Sequence, residues 1–333
     1  MTGFAVERTG TAIRVGALAH PERAALVEAR GALLCWDVLD LRAHPAAVIH
    51  DAARVGEWLW EVYGPGPAAA VLGDADAIAA EADAPVPAAV RALALLRWAD
   101  AWWPSSWAAG VPPLPAPLLR AETAWRTAAV EHLLDDDAAV ERALAEVDAT
   151  ALGDYADPRV AELRAGLEDL AEDHGVALAG RASERREDYA LAAGGREGDL
   201  VLRGGTAPVD WGGVPQGLVD AAEDASWTLA QRGPDAVVTV AVPAAPEAEG
   251  GRLAARLGET ALDLEFDPMS GAFIGEAAAP RGFPAQPGLR VSAPGYTAEP
   301  DADAPRRRDA IIAFARARLA APETLTESAA ARS

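Results

Sequence analysis

Three tryptophans stand within Trp102-Trp103-Pro104-Ser105-Ser106-Trp107, and five of the chain's ten lie between Trp98 and Trp125. Tryptophan buries more area than any other side chain, so such a cluster either anchors a core or forms a recognition surface. Trp102 and Trp103 are adjacent. On a helix their side chains point about 100° apart, so one can enter a core stripe while the other needs a second contact. Trp107 lies beyond Pro104, in a loop that continues Gly110-Val111-Pro112-Pro113-Leu114-Pro115-Ala116-Pro117. A stretch so rich in proline cannot join a helix; it packs over a surface or is recognised there. Trp102, Trp103, Trp107, Pro112 and Pro113 are therefore the candidate binding residues. They read as a docking patch for a partner or as an aromatic platform for a sugar or cation. The competing reading has the rings plugging gaps between helices.

At 333 residues the chain suits two domains, and 51% hydrophobic content lets both bury cores. The net charge of -22 argues against nucleic-acid or anionic-membrane partners, which need a broad basic face. There is no lysine. That excludes, in their ordinary form, G-x-x-x-x-G-K phosphate loops, Schiff-base enzymes, the kinase ATP site and Ser-x-x-Lys hydrolases. Cys35 is the only cysteine, so neither an intrachain disulfide nor a thiolate zinc cluster can form. Set among Leu33, Leu34 and Trp36, it reads as a buried small hydrophobe. The start, Met1 to Glu7, has no charged region leading into an apolar core, and no apolar run approaches the roughly 20 residues of a membrane span. The expectation is a soluble cytoplasmic protein.

Residues from about 20 to 175 read as helices separated by proline. One is expected from His44-Pro45 through Val48, Ala52, Val55, Leu59 and Val62. A second starts near Pro87 and carries Val90, Leu93, Leu96 and Trp103. A third runs from Pro117 to Leu134 with Leu118, Trp125 and His132 on one side. Asp157-Pro158 through Gly175 has an N-cap, a proline in the first turn, the stripe Val160, Leu163, Leu167 and Leu170, and a terminal glycine. After about residue 185 the texture changes to short runs rich in Val, Leu and Thr. Trp227–Gln231 and Val237–Val242 flank the turn Arg232-Gly233-Pro234-Asp235 as a hairpin. Strands are expected at 261–266, 272–276 and 289–292, then a helix from Pro305 to Ala320 and a loose tail. The expected fold is α+β. It has a helical domain over 1–183, an Ig-like antiparallel β-sandwich over 184–304, and a C-terminal helix with its tail over 305–333.

No reactive constellation stands out. His132 and Asp136 are four apart and could share a helical face for a metal, but Asp135, Asp136 and Asp137 are better placed to cap the next helix. His44 and His50 are poorly spaced co-ligands, and His174 suits a helix C-terminus. Asp74-Ala75-Asp76 and Asp301-Ala302-Asp303 match only the opening of a calcium loop. No cofactor or metal is implied. Carboxylate dyads have no fixed spacing, so a carboxylate- or metal-dependent hydrolase with a cleft in the helical half stays open, as does a carbohydrate-binding protein using the tryptophan platform.

Two stretches carry a resemblance. One runs from Trp102-Trp103-Pro104-Ser105 to Val130-Glu131-His132-Leu133-Leu134-Asp135-Asp136. The other runs from Val209-Asp210-Trp211 to Asp220-Ala221-Ala222-Glu223-Asp224 and on to the Phe314–Leu319 helix. Together they resemble uncharacterised actinobacterial accessory proteins encoded beside AAA+ ATPase and von Willebrand factor A modules in conflict or defence systems. The resemblance implies an adaptor role with a protein partner, an ATPase or von Willebrand A-type protein, and carries no catalytic residues. The leading expectation is a non-enzymatic interaction protein.

Overall fold

The computed structural model describes residues 3–40, 43–81, 86–179, 200–248, 250–280, 282–284, 287–296 and 301–333. They form two compact units. Met1–Ala101, Leu114–Ser183 and Pro322–Arg332 cluster into the first, Trp102–Pro113 and Glu184–Ala321 into the second. Neither unit is a continuous stretch of chain.

The first unit, expected to be mainly helical, opens with a sheet. β1 (Gly3–Thr9), β2 (Ala12–Val15), β3 (Ala24–Ala29), β4 (Ala32–Asp37), β5 (Ala46–Ile49) and β6 (Ala77–Ala79) form an antiparallel sheet of order β3-β4-β5-β2-β1-β6. The segment from His44-Pro45 is therefore a strand. It is followed by two short helices, α1 (Ala52–Val55) and α2 (Leu59–Tyr63), in place of one long one. Alternation explains the difference: Ala25, Val27 and Ala29 are buried while Leu26 and Glu28 face out. Alanine favours helices intrinsically, but burial of one pleated face overrides that preference. Two-residue loops set the register. Thr9 pairs with Ala12 across Gly10-Thr11, and Ala29 pairs with Ala32 across Arg30-Gly31. Gly31 has φ +81°, and a Cβ there would lie 2.7 Å from the Asp51 carbonyl oxygen.

Helices α3 (Pro65–Leu72), α4 (Val86–Trp102), α5 (Ala116–Ala129), α6 (Ala139–Ala145), α7 (Ala149–Leu152) and α8 (Pro158–Asp173) complete the unit. Leu118, Ala121, Ala124, Val140, Leu144, Val160 and Leu167 share one core. The buried tryptophans here each give their indole N–H to a backbone carbonyl: Trp36 to Ala43, Trp58 to Arg30 and Trp98 to Glu22, all at 2.9 Å. α8 follows the sequence signals closely. Asp157 accepts from the Arg159 N–H, Pro158 opens the first turn, and Gly175 takes φ +64° just past the end. α5 stops at Ala129, short of the expected Leu134, and Glu131–Leu133 is a single 3-10 turn. The expected stripe therefore breaks: Leu118 is buried, Trp125 is partly exposed, and His132 lies outside the helix. Trp125 instead lies over Gly166 of α8, where a Cβ would come within 2.7 Å of its ring.

The tail expected to be loose is a capped helix, Leu325–Ala330, and it belongs to this unit. Thr324 and Glu327 form a reciprocal capping box. The buried Glu122 carboxylate of α5 accepts the N–H groups of Leu325 (2.9 Å) and Thr326 (2.8 Å) and the Thr326 hydroxyl (2.6 Å). A negative charge at a helix N-terminus is also favoured by the helix dipole.

In the second unit β7 (Leu200–Ala207), β8 (Ala225–Arg232), β9 (Asp235–Pro243), β10 (Arg252–Leu257), β11 (Thr260–Asp267), β12 (Ala272–Ala278) and β13 (Leu289–Ser292) form one antiparallel sheet. Its order is β13-β10-β11-β12-β9-β8-β7. The Ig-like sandwich expected from the sequence has two separate sheets; here all seven strands belong to one continuous ladder. Its edge strands β13 and β7 approach each other, so the sheet curls. Alternate residues fill the enclosed face: Trp227 and Leu229, then Val238, Val240 and Val242, with Leu253, Leu257, Leu264 and Phe273. The β8–β9 hairpin forms as expected, with Gly233 at φ +62°.

α9 (Ala304–Ala320) belongs to this same unit. Its arginines are paired rather than simply solvated. Arg307 meets Asp301 at 2.7 Å, Arg308 meets Asp224 at 3.3 Å, and Arg306 pairs with Asp303.

Two outcomes are expected. Glu122→Ala should lower stability by about 2 kcal/mol, because it leaves two buried donors and one part-buried donor unpaired. Limited proteolysis should then cut first within residues 322–332. The hydrogen bonds to Asp157 from the Arg159 side chain and backbone hold its carboxyl down, to about 2. A depressed folded pKa stabilises above the unfolded value of about 3.9 and loses that contribution as pH falls through the folded one. Asp157→Ala should therefore flatten the fall in stability between about pH 4 and pH 2, read by urea unfolding across that range.

Candidate functional site

The aromatic segment forms a small closed loop in the second unit. Ser106 and Val111 exchange backbone hydrogen bonds of 2.8 and 2.9 Å, closing the loop Trp107-Ala108-Ala109-Gly110. The Gly110 N–H donates to the Trp107 carbonyl at 3.2 Å, and Gly110 takes φ +63°, the left-handed conformation that ends such loops.

The loop is pinned to the sheet unit by side chains far away in sequence. Asp220 is 4% exposed. One carboxylate oxygen accepts from the Ser106 hydroxyl (2.7 Å) and from the N–H groups of Ala222 (2.9 Å) and Glu223 (3.2 Å). Its other oxygen accepts the Trp107 N–H at 3.1 Å. Ser106 Oγ in turn accepts the Ala109 N–H at 2.9 Å. The Ala221 N–H reaches the Ser105 carbonyl at 3.2 Å, and Arg316 of α9 donates to the Ala109 carbonyl at 2.6 Å. Ser105 donates its hydroxyl to Glu247. Burial pushes that carboxyl up, against the lowering effect of the Ser105 bond. A buried carboxylate needs this many donors to offset its lost hydration.

The five candidate residues divide on this frame. Trp103 is buried, gives its indole N–H to the Pro112 carbonyl at 2.9 Å, and accepts from the Gln216 side chain on its own carbonyl. Trp102, Pro112 and Pro113 are half-buried. Trp107, at the loop tip, is 73% exposed. One ring is thus an anchor and another is displayed. An exposed indole on an immobilised backbone carries little conformational entropy to lose on contact, which suits it to recognition.

Elsewhere, His132 lies 3.2 Å from Glu61 and is exposed. Asp136 accepts the Ala138 N–H at 2.9 Å ahead of α6 and pairs with Arg142. His174 closes α8 and sits 3.5 Å from Glu141. Among the described residues no group of three or more His, Cys, Asp and Glu is placed to hold a metal ion. Compared with protein families, curated proteins and solved structures, the chain matches none.

Sequence reasoning missed Asp220, Glu247 and Arg316. The one local sign was Asp220 followed by small residues, an Asx-turn pattern. Nothing tied it to Ser106, which lies 114 positions earlier.

Ser106→Ala removes a buried donor and acceptor together and should cost about 2 kcal/mol in urea unfolding. The Trp107 indole resonances should broaden at the same time as the loop loosens.

Proposed function

We propose that the protein is a non-enzymatic adaptor that docks a protein partner on the Trp107 loop. The observation that carries this reading is the pairing of a 73% exposed tryptophan with a backbone held by the buried Asp220. Tryptophan is among the residues that dominate binding energy at interfaces, and it does so best from a rigid support. The net charge of -22 favours a partner whose facing surface is basic, with an on-rate that falls as salt rises. The resemblance makes an ATPase or a von Willebrand A-type protein of a cytoplasmic defence system the expected partner. Among the described residues no helix is long and apolar enough to cross a membrane.

The test is to purify the tagged protein from its own host at low salt and identify what copurifies in stoichiometric amount. Trp107→Ala should lose that partner at least tenfold while melting at the same temperature, since the ring buries little within the chain. Undiminished capture by a folded Trp107→Ala protein would remove the loop from the reading. Trp103→Ala is the wrong probe, because that ring is buried and its loss would unsettle the loop itself.

A further inference from the structure

Two carboxylates grip the tryptophan loop, and their settings differ. Ser105 and Ser106 are adjacent, yet each gives its hydroxyl to a different acid: Ser106 to Asp220 at 2.7 Å, Ser105 to Glu247 Oε1. Asp220 receives four donors. Glu247 is poorer. Its Oε2 is buried and has no hydrogen-bond partner among the described residues. Gly217 packs against the other oxygen, where a Cβ would lie 3.4 Å from Oε1. Ionised, such a carboxyl keeps charge on an oxygen that no donor stabilises. Neutral, it still accepts from Ser105 on Oε1 and carries its proton on Oε2, at a smaller cost than a charge in the same place.

The surroundings act in the same direction. Burial pushes the Glu247 carboxyl up, the Ser105 hydroxyl and its own N–H work against this, and the Asp220 charge adds to the rise. Among the described residues Asp220 is the charged group whose field reaches it; Ser105 and Gly217, also packed on it, carry no charge. His20, His44, His50, His132 and His174 are all the histidines of the chain, and they and Cys35 fall in the first unit. Histidine is the ordinary side chain that titrates between about pH 5 and pH 8. The second unit has none, so a carboxyl raised above its usual range has no histidine to mask it there.

We propose that Glu247 is a proton-operated latch on the loop: the neutral carboxyl holds Ser105, and the ionised one, repelled by Asp220 and drawn to water, releases it. A folded-state value above the unfolded one stabilises below the unfolded value of about 4.3 and loses that contribution as pH rises through the folded one. The Trp107 loop therefore loosens as pH rises, keeping Asp220 and losing its second grip. Regulation of docking by this latch rests on the docking reading of Trp107; the latch itself is a property of the chain alone.

The test uses the full-length protein without a partner. The Glu247 side-chain carboxyl carbon is followed by NMR from about pH 4.5 to about pH 8, spanning the range above the ordinary glutamate value. Its signal is assigned by its loss in Glu247→Gln. Protection of the Trp107 amide against hydrogen exchange, corrected for the intrinsic rate, is measured over the same range. In the wild type Glu247 should titrate above about 4.3, and Trp107 protection should fall about fivefold with the same midpoint, the scale of one lost hydrogen bond. Glu247→Gln, neutral at every pH, should stay protected throughout. Glu247→Ala, with no acceptor for Ser105, should be poorly protected throughout. If neither variant folds, the coincidence of the two wild-type midpoints decides, with the carboxyl assigned through its own backbone signals. Titration of Glu247 at or below about 4.3, Trp107 protection that ignores pH, or the same fall in Glu247→Gln overturns the latch. Those results leave docking by Trp107 untouched, and undiminished partner capture by Trp107→Ala leaves the latch untouched.

Discussion

The Asp220 carboxylate is the interaction on which Trp107, the most exposed aromatic among the second unit's described residues, depends. Four donors converge on it, two from the tryptophan loop and two from its own turn, in a setting that excludes water. A buried carboxylate with fewer partners would be a liability, since its desolvation is not offset. With four, it fixes the direction in which the loop leaves the sheet. The loop has no helix or strand of its own; besides Asp220 it is held by the paired backbone bonds between Ser106 and Val111, the Gly110–Trp107 bond, and donors from Ala221 and Arg316. Removing the acceptor would leave the indole on a tether instead of a support.

Glu122 plays the corresponding part in the first unit. It joins α5 to the helix Leu325–Ala330 across 203 and 204 positions of sequence, again by a carboxylate accepting from backbone N–H groups and a hydroxyl. The two cases share a physical logic. A chain rich in alanine has little side-chain area per residue with which to hold distant segments together. A single ionised group aimed at several donors does by geometry what a larger apolar contact would do by area.

What could be read from the sequence follows from how local the determining interactions are. α8 was legible because its cap, its first-turn proline, its stripe and its closing glycine all lie within Asp157 to Gly175. The β8–β9 hairpin was legible for the same reason, through Gly233-Pro234 and the alternation on either side. Strands β1 to β5 were not. Their alternation is carried by alanine against leucine or glutamate, as in Ala25-Leu26-Val27-Glu28, and it lasts too few residues to outweigh helical composition. The loop's anchoring was illegible because Ser106 and Asp220 are determined by tertiary proximity alone. The sequence showed that Trp102, Trp103 and Trp107 could not all face one core; only the fold decided that Trp103 goes in and Trp107 stays out.

The distance along the chain between Ser106 and its acceptor has a consequence for synthesis. A ribosome adding about 5–20 residues per second makes the loop on the order of ten seconds before Asp220 exists. Through that interval Trp102, Trp103 and Trp107 leave the exit tunnel with Pro104 beside them and no sheet to receive them. Nascent chains stalled short of residue 220 would therefore present a proline-flanked aromatic cluster, the kind of surface that chaperones hold and that aggregates without them. The chain's dense negative charge then acts in the cell as a solubiliser of its own unfinished form.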